Sequence, residues 1–499
     1  MIDQKQSYRH IIKAISLFGG VQAIQIFTNI IRLKVVAILL GPVGMGLASL
    51  FMVSINMIGN ITGFGINFSA VRNISYAFKS NNEVLLGRSI QVFRRWMLFC
   101  GLLGCLVTLV FASYLSNYTF GNTKYTLAFM LLSCTLLLNA TANGNTALLQ
   151  GTHRIKEAAK ASVVGSVIGL CFSIPLYFFY STRAIVPSMI LVALISYLSS
   201  WYYAKEVKFK YVSLSFRETF SEGKEMVKLG IIMMISVVIG ILVNYLIDTF
   251  IRHNGGVSDV GLYQAGIGIS NQYISLVFAA MAIDYFPRLS SVSDDNVKIK
   301  EMANQQAEIV LLIIAPLLIM LIIAAPLVIR LLLTPKFYVI TDFVRVISLG
   351  MLFKAASYAV GYISFAKGNK KVYFFVEGIG SNLLTLIFSL VGYSYFGLIG
   401  LAISFLLSYG VYFVAILIIT NVLYSFTLSF NCFKIFIILF ALCGTTFFIS
   451  IVYKFSFWPF LIEGLIFIIS LIYSYFQINK RIELSNIFHF KIKNNNIGI

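Results

Sequence analysis

The chain has 499 residues, of which 59% are hydrophobic and only 11% charged. Soluble domains carry about 25% charged residues, so a soluble enzyme held by a simple anchor is excluded. The net charge of +20 would suit nucleic acid only if the cations formed a surface, and instead they cluster at the ends of apolar runs.

Charge-free runs at Val35–Val71, Trp96–Thr123, Ala161–Thr182, Ile309–Ile329 and Gly378–Phe433 are each long enough to cross a bilayer as a helix. The expected fold is an all-α polytopic membrane protein of about fourteen spans.

The first span, 13–38, carries Gln22, Gln25, Asn29 and Arg32 at steps of three, four and three, which places them on one helical face. The second, 46–69, bears Asn56, Asn60 and Asn67. After a charge-rich connection at 70–94 come spans 95–115 and 125–149, the latter with Asn139, Asn143, Thr146 and Gln150. Spans 158–180 and 184–203 follow, and Lys205–Lys228 reads as an amphipathic helix on the membrane surface. The seventh span, 228–251, has Ser236, Gly240, Asn244, Asp248 and Arg252 four apart, and the eighth, 260–283, has Gln264, Asn271 and Ser275. A charged connection at 284–305 leads to 306–332, 341–366, 372–392, 397–421, 433–453 and 457–476.

Lys and Arg number 28 on the side shared by both termini and 9 on the other, with Lys354 set apart inside a span. That asymmetry places both termini in the cytoplasm and directs the basic excess to topology and anionic lipid. The six cysteines fall within spans or, for Cys432, at the edge of one, without ligand spacing, and no Cys, His and carboxylate residues cluster. Neither catalytic residues, nor a metal, nor another cofactor is expected.

An offset of 215 residues brings Asn29 onto Asn244, Gly41 onto Gly256, Gly46-Leu47 onto Gly261-Leu262 and Asn56 onto Asn271. Each pair occupies the same point of a helix, Gly-rich turn, helix unit. The expected organisation is therefore an N-terminal lobe (1–204), a cytoplasmic linker (205–227), a C-terminal lobe (228–421) related to the first by a pseudo-two-fold axis, and an appended pair of helices with a tail (422–499). Parallel six-helix repeats are a transporter architecture with the substrate site near the midplane.

Five spans with polar stripes point to a hydrated cavity, and amides and hydroxyls suit sugars because each group donates and accepts. Lys354 is the exceptional charge, because an ammonium near mid-span costs at least ~2.5 kcal/mol unless a cavity or counter-charge receives it. Glu377 is its candidate counter-ion, Asp248 could pair with Arg252 or serve as an ion or proton site, and Arg345 is expected at the interface. Lys354 and Arg32 together suit a diphosphate.

The turn Gly41-Pro42-Val43-Gly44-Met45-Gly46-Leu47-Ala48 resembles the first turn of Wzx-type O-antigen translocases, in the polysaccharide-transport branch of the multidrug/oligosaccharidyl-lipid/polysaccharide exporter superfamily. Asp284-Tyr285-Phe286-Pro287-Arg288-Leu289-Ser290, then Asn304-Gln305-Gln306, Ala315-Pro316-Leu317 and Ala325-Pro326-Leu327, look like the region between helices 8 and 9 of the same family. The likeness covers about residues 10–420. It implies a flippase carrying undecaprenyl-diphosphate-linked oligosaccharide across the bacterial inner membrane for lipopolysaccharide O-antigen synthesis. It further implies a polysaccharide polymerase and a chain-length regulator as partners. The extra C-terminal pair departs from the twelve helices of many members and is shared with lipid II flippases, so that substrate, and a drug or cation antiporter, stay open as alternatives, with a membrane polysaccharide polymerase as the enzyme-class rival.

Overall fold

The computed structural model describes residues 24–80, 82–453 and 457–482. Among them all regular structure is helical, and nine stretches are long and apolar enough to cross a membrane. Two of the nine, Ile155–Ala204 and Lys371–Tyr424, hold 50 and 54 residues, about 75–80 Å of helix at 1.5 Å per residue. Each is twice a bilayer's thickness and turns back once, at Ser181 (φ 50°) and at Gly397 (φ 59°). The remaining expected spans, around 24–39, 257–291 and 341–366, are helical as well. The chain divides into two compact units, Met1–Gln264 with Leu332–Thr334, and Ala265–Leu331 with Pro335–Ile499.

In the first unit, α1 (24–39) ends at Leu40, and α2 (Gly41–Gly63) starts on Gly41 at φ 66° with Pro42 in its first turn. Proline suits that place because its missing N–H would have no helical acceptor there. The expected second span breaks earlier than its apolar run: Phe64 and Gly65 both have positive φ (47° and 64°), and α3 (Ile66–Lys79) sets off anew. Gly230 of α9 packs into that break, with no room for a β-carbon on either Gly65 or Gly230. The expected connection at 70–94 is mostly helix, since α4 (Glu83–Val110) begins three residues after α3, capped by the Asn82 side chain. Helices α5 (Ala112–Phe120), α6 (Thr126–Gly151), α7 (Ile155–Tyr180) and α8 (Ile185–Ala204) follow.

Lys205–Lys228 is only half helical. Residues 207–215 run as an irregular strap, and α9 (Phe216–Gly255) starts with a capping box in which Ser215 Oγ accepts from Glu218 N and Ser215 N donates to Glu218. The helix then continues unbroken for 40 residues, about 60 Å, so its charged first turns precede the apolar span Met234–Gly255 on the same helix. Arg95 donates to Leu214 O (2.8 Å) and Thr219 Oγ1 (2.7 Å), and Trp96 Nε1 to Thr219 O (2.9 Å), pinning strap and helix start onto α4.

In the second unit, α10 (Val257–Ser291), which begins in the first unit, and α11 (Asn296–Leu332) absorb most of the expected connection 284–305. Helix α12 (Thr341–Ala366) is the buried axis of this unit: between residues 343 and 364 only Phe353, Lys354, Tyr358 and Tyr362 are not fully buried. After α13 (Lys370–Tyr373) one π-helical turn, Phe374–Gly380, leads into α14 (Ser381–Tyr424), and α15 (Phe430–Val452) and α16 (Phe457–Ile482) complete the described chain. Helix α14 closes on α12 at Gly350, where an added β-carbon would lie 2.6 Å from Phe405.

Candidate functional site

The polar stripes of α2 and α6 converge. A cavity of about 460 Å³ in the first unit is lined by Asn56 and Asn60 of α2, Asn67 of α3, and Asn139, Asn143, Thr146 and Gln150 of α6. A stripe four residues apart on each helix turns its amides to one side, and the two sides meet here. Among the described residues no charged side chain lines the cavity. Asn60 spends one donor on Asn56 O (2.8 Å), and Thr146 bonds Ala142 O (3.1 Å). Asn67 Oδ1 is buried with no hydrogen-bond partner among the described residues. Carboxamides and hydroxyls without charge offer both donors and acceptors to sugar hydroxyls.

The other polar stripes are dispersed. Gln22 lies outside the described residues, Gln25 donates to Ser162 Oγ of α7 (2.6 Å), Asn29 is exposed on α1, and Arg32 is partly buried there. Asn244 is exposed on α9 and Asn271 partly buried on α10. Gln25 thus holds two helices together, as polar residues in membranes often do.

Lys354 occupies a different setting, in the second unit. Its ammonium stands 5.4 Å from the ring centre of Tyr409 and 5.9 Å from those of Phe278 and Phe405. It opens the one partly exposed stripe of α12, with Tyr358 and Tyr362 following at steps of four, their hydroxyls 3.0 Å apart. Aromatic faces attract the cation without neutralising it, so the amine stays available to an anion. The spacing of Tyr358 and Tyr362 from Lys354 was legible in the sequence; Phe278, Phe405 and Tyr409 come from α10 and α14 and carried no such signal.

Two expected pairings and one expected placement are corrected. Glu377 is not the counter-ion of Lys354: among the described residues no carboxylate lies within ion-pair distance of that lysine, and Glu377 takes the hydroxyl of Tyr412. The π-helical turn aims it at Gly361, where its carboxylate fills the space a β-carbon would need. Asp248 does not pair with Arg252. Both its oxygens accept from Gln264 Nε2 (2.9 and 2.8 Å), fully buried, while Arg252 turns to His253 Nδ1 (3.2 Å). Arg345, expected at the interface, is buried: its guanidinium bonds Ile322 O (3.3 Å), Ser450 O (3.0 Å) and Asp342 (3.1 Å). No group of three potential metal ligands occurs among the described residues.

Helices long and apolar enough to cross a membrane, turning on positive-φ residues, define a multi-pass membrane protein, and its fold is shared with solved transporters. The fold is similar to that of the lipid II flippase MurJ in an inward closed conformation, with TM-score 0.69 and 15% identity over 94% of this chain and 99% of that one. It is also similar to an inward-facing multidrug resistance MATE family transporter, with TM-score 0.67 and 14% identity over 81% and 94% of the two chains. The chain belongs to the polysaccharide biosynthesis protein family, whose signature matches residues 35–342. In sequence it is similar to the lipid III flippase of Escherichia coli K12, 24% identical over 394 residues that span 76% of this chain and 91% of that relative.

Proposed function

We propose that the protein is a flippase for a polyprenyl-diphosphate-linked oligosaccharide, an O-antigen-type repeat unit on undecaprenyl diphosphate, moved from the cytoplasmic to the periplasmic leaflet by alternating access. The observation that carries this reading is the uncharged, amide-walled cavity of α2, α3 and α6 in a member of a polysaccharide biosynthesis family. A drug or cation antiporter would be served by carboxylates in such a wall, and there are none.

In this reading the amides solvate the sugars while the polyprenyl tail stays in lipid. Lys354, held by rings and without a carboxylate partner among the described residues, and Arg32 serve the diphosphate. Asp248, satisfied only by a neutral amide, is the site at which an ion or proton would couple to transport. In this reading the protein sits in the bacterial inner membrane with both termini cytoplasmic, an orientation that the distribution of Lys and Arg supports. The lobes are those of the 215-residue repeat, on either side of 205–227.

The test is complementation of a host deprived of its own translocase. With a supply of O-antigen-type units, the wild type restores surface polysaccharide, and Lys354→Ala lowers it sharply at normal protein level. Rescue of a strain lacking its lipid II flippase instead would transfer the assignment to that glycan. No rescue of either, with drug resistance conferred, would overturn it.

A further inference from the structure

A second pocket, of about 350 Å³, opens between α4, α6, α8 and the strap that follows α8. Its wall combines two cations, Arg94 and Lys205, with Tyr197, Trp201 and Phe209, and no carboxylate among the described residues lines it. The guanidinium of Arg94 stands 5.0 Å over the Phe209 ring, and the Lys205 ammonium lies 4.5 Å from the ring of Tyr202 and 5.2 Å from that of Trp201.

The other two arginines of α4 are committed elsewhere. Arg88 pairs with Glu222 and Glu218, Arg95 is taken by Leu214 O and Thr219, and the nearby carboxylate Glu206 faces Arg154 at 3.5 Å. Arg94 alone of these arginines of α4 has no acceptor among the described residues, and Lys205 has no carboxylate partner among them either. Leu98 and Trp201, at the rim, are 46% and 48% exposed on membrane-spanning helices, where an exposed apolar side chain meets acyl chains. Tryptophan and tyrosine rings favour the headgroup level of a bilayer.

The geometry points to a binding site for the phosphate headgroup of an anionic phospholipid, with Arg94 and Lys205 on the phosphate oxygens and the acyl chains leaving past Leu98 and Trp201. Two cations without an internal anion supply the charge, and the lipid-facing rim supplies the amphiphile's exit. Free phosphate has the same headgroup chemistry and lacks the chains. The site is distinct in chemistry from the uncharged cavity, although Met97 contributes to both walls, and it stands whether or not the proposed substrate is right.

The experiment is native mass spectrometry of the full-length protein in detergent, titrated separately with phosphatidylglycerol, phosphatidylcholine and inorganic phosphate. Phosphatidylglycerol should be retained as one more adduct than phosphatidylcholine. Arg94→Gln and Lys205→Gln should each weaken that adduct by about fivefold or more, while Lys224→Gln, on the exposed start of α9, leaves it unchanged. Since Lys205 is exposed, its variant decides the matter if the Arg94 variant does not fold. Equal retention of the two lipids, or wild-type binding by Lys205→Gln, overturns the proposal. Displacement of phosphatidylglycerol by inorganic phosphate at equal concentration overturns the lipid assignment.

Discussion

Gly46 of α2 and Gly261 of α10 pack backbone on backbone in a reciprocal contact. A β-carbon on Gly46 would run into the carbonyl oxygen of Val257, and one on Gly261 into the carbonyl oxygen of Pro42. The two glycines are 215 residues apart, and so are the two residues they touch. The sequence repeat therefore reappears as a local two-fold relation, reinforced by Gly41 and Gly256, both at positive φ. Gly46→Ala and Gly261→Ala should each destabilise the protein by about 1–3 kcal/mol, the usual cost of overpacking. Gly410→Ala, in a helix with open space beside it, should be neutral or slightly stabilising. Thermal unfolding followed by size-exclusion chromatography ranks the three variants, and equal midpoints would refute the packing argument.

The cavity of the first unit yields a prediction opposite in kind. Asn143 is exposed at its wall and makes no hydrogen bond among the described residues, so its side chain supports nothing structural. Asn143→Leu should leave the unfolding midpoint within the range of ordinary surface changes, about 0.5 kcal/mol. If the amides hold sugar, surface polysaccharide should nevertheless fall about tenfold, and Asn143→Gln should keep part of it. Wild-type export by Asn143→Leu would show that glycan does not use this wall.

How much of this was legible in the sequence follows from what lipid makes costly. Apolar length alone revealed the crossings, and the stripes of Asn56, Asn60, Asn139 and Asn143 were readable because an amide in hydrocarbon demands a reason. Helix ends were not readable in the same way. Charge marks where a chain leaves the bilayer, not where its hydrogen-bond ladder stops, so α9, α10 and α11 run on through segments expected to be connections. The pairings failed for a different reason. Arg345 finds backbone carbonyls of Ile322 and Ser450, 23 and 105 residues away, and Glu377 finds Tyr412, 35 residues on. Backbone acceptors leave no mark in a side-chain pattern, and a single hydroxyl among 27 tyrosines does not announce its partner.

The start of α9 should be sensitive to acid. Glu218 lies outside the membrane span, and its carboxyl is held below the ordinary carboxylate range, first by the backbone N–H of Ser215. A carboxylate depressed in the folded state contributes stability above its unfolded value and loses that contribution as pH falls through its folded value. The strap should therefore be unchanged from pH 7 to about 5 and loosen below about 4. Trp96, one of three tryptophans, donates to Thr219 O beside this cap and reports the change in its emission. In Glu218→Gln the acid-dependent component should vanish, and a transition identical to wild type would place the titrating group elsewhere.

Arg345 makes the appended helices part of the second unit rather than an ornament on it. From the first turn of α12 it reaches the last turn of α15 through Ser450 O and α11 through Ile322 O, with Asp342 one turn below it. Three acceptors from three helices satisfy one planar guanidinium, a geometry that an ammonium cannot reproduce. Arg345→Ala should cost about 2–4 kcal/mol, because charge-assisted hydrogen bonds to buried carbonyls are lost. Arg345→Lys should fall between that variant and wild type. Asp342→Asn should cost less than about 1 kcal/mol, since its side chain is one-third exposed and water screens the pair. The order Ala, Lys, Asn in unfolding midpoint, lowest first, is the expected result. A Lys variant as stable as wild type would mean that charge alone, and not the fork reaching two carbonyls, holds α15 in place.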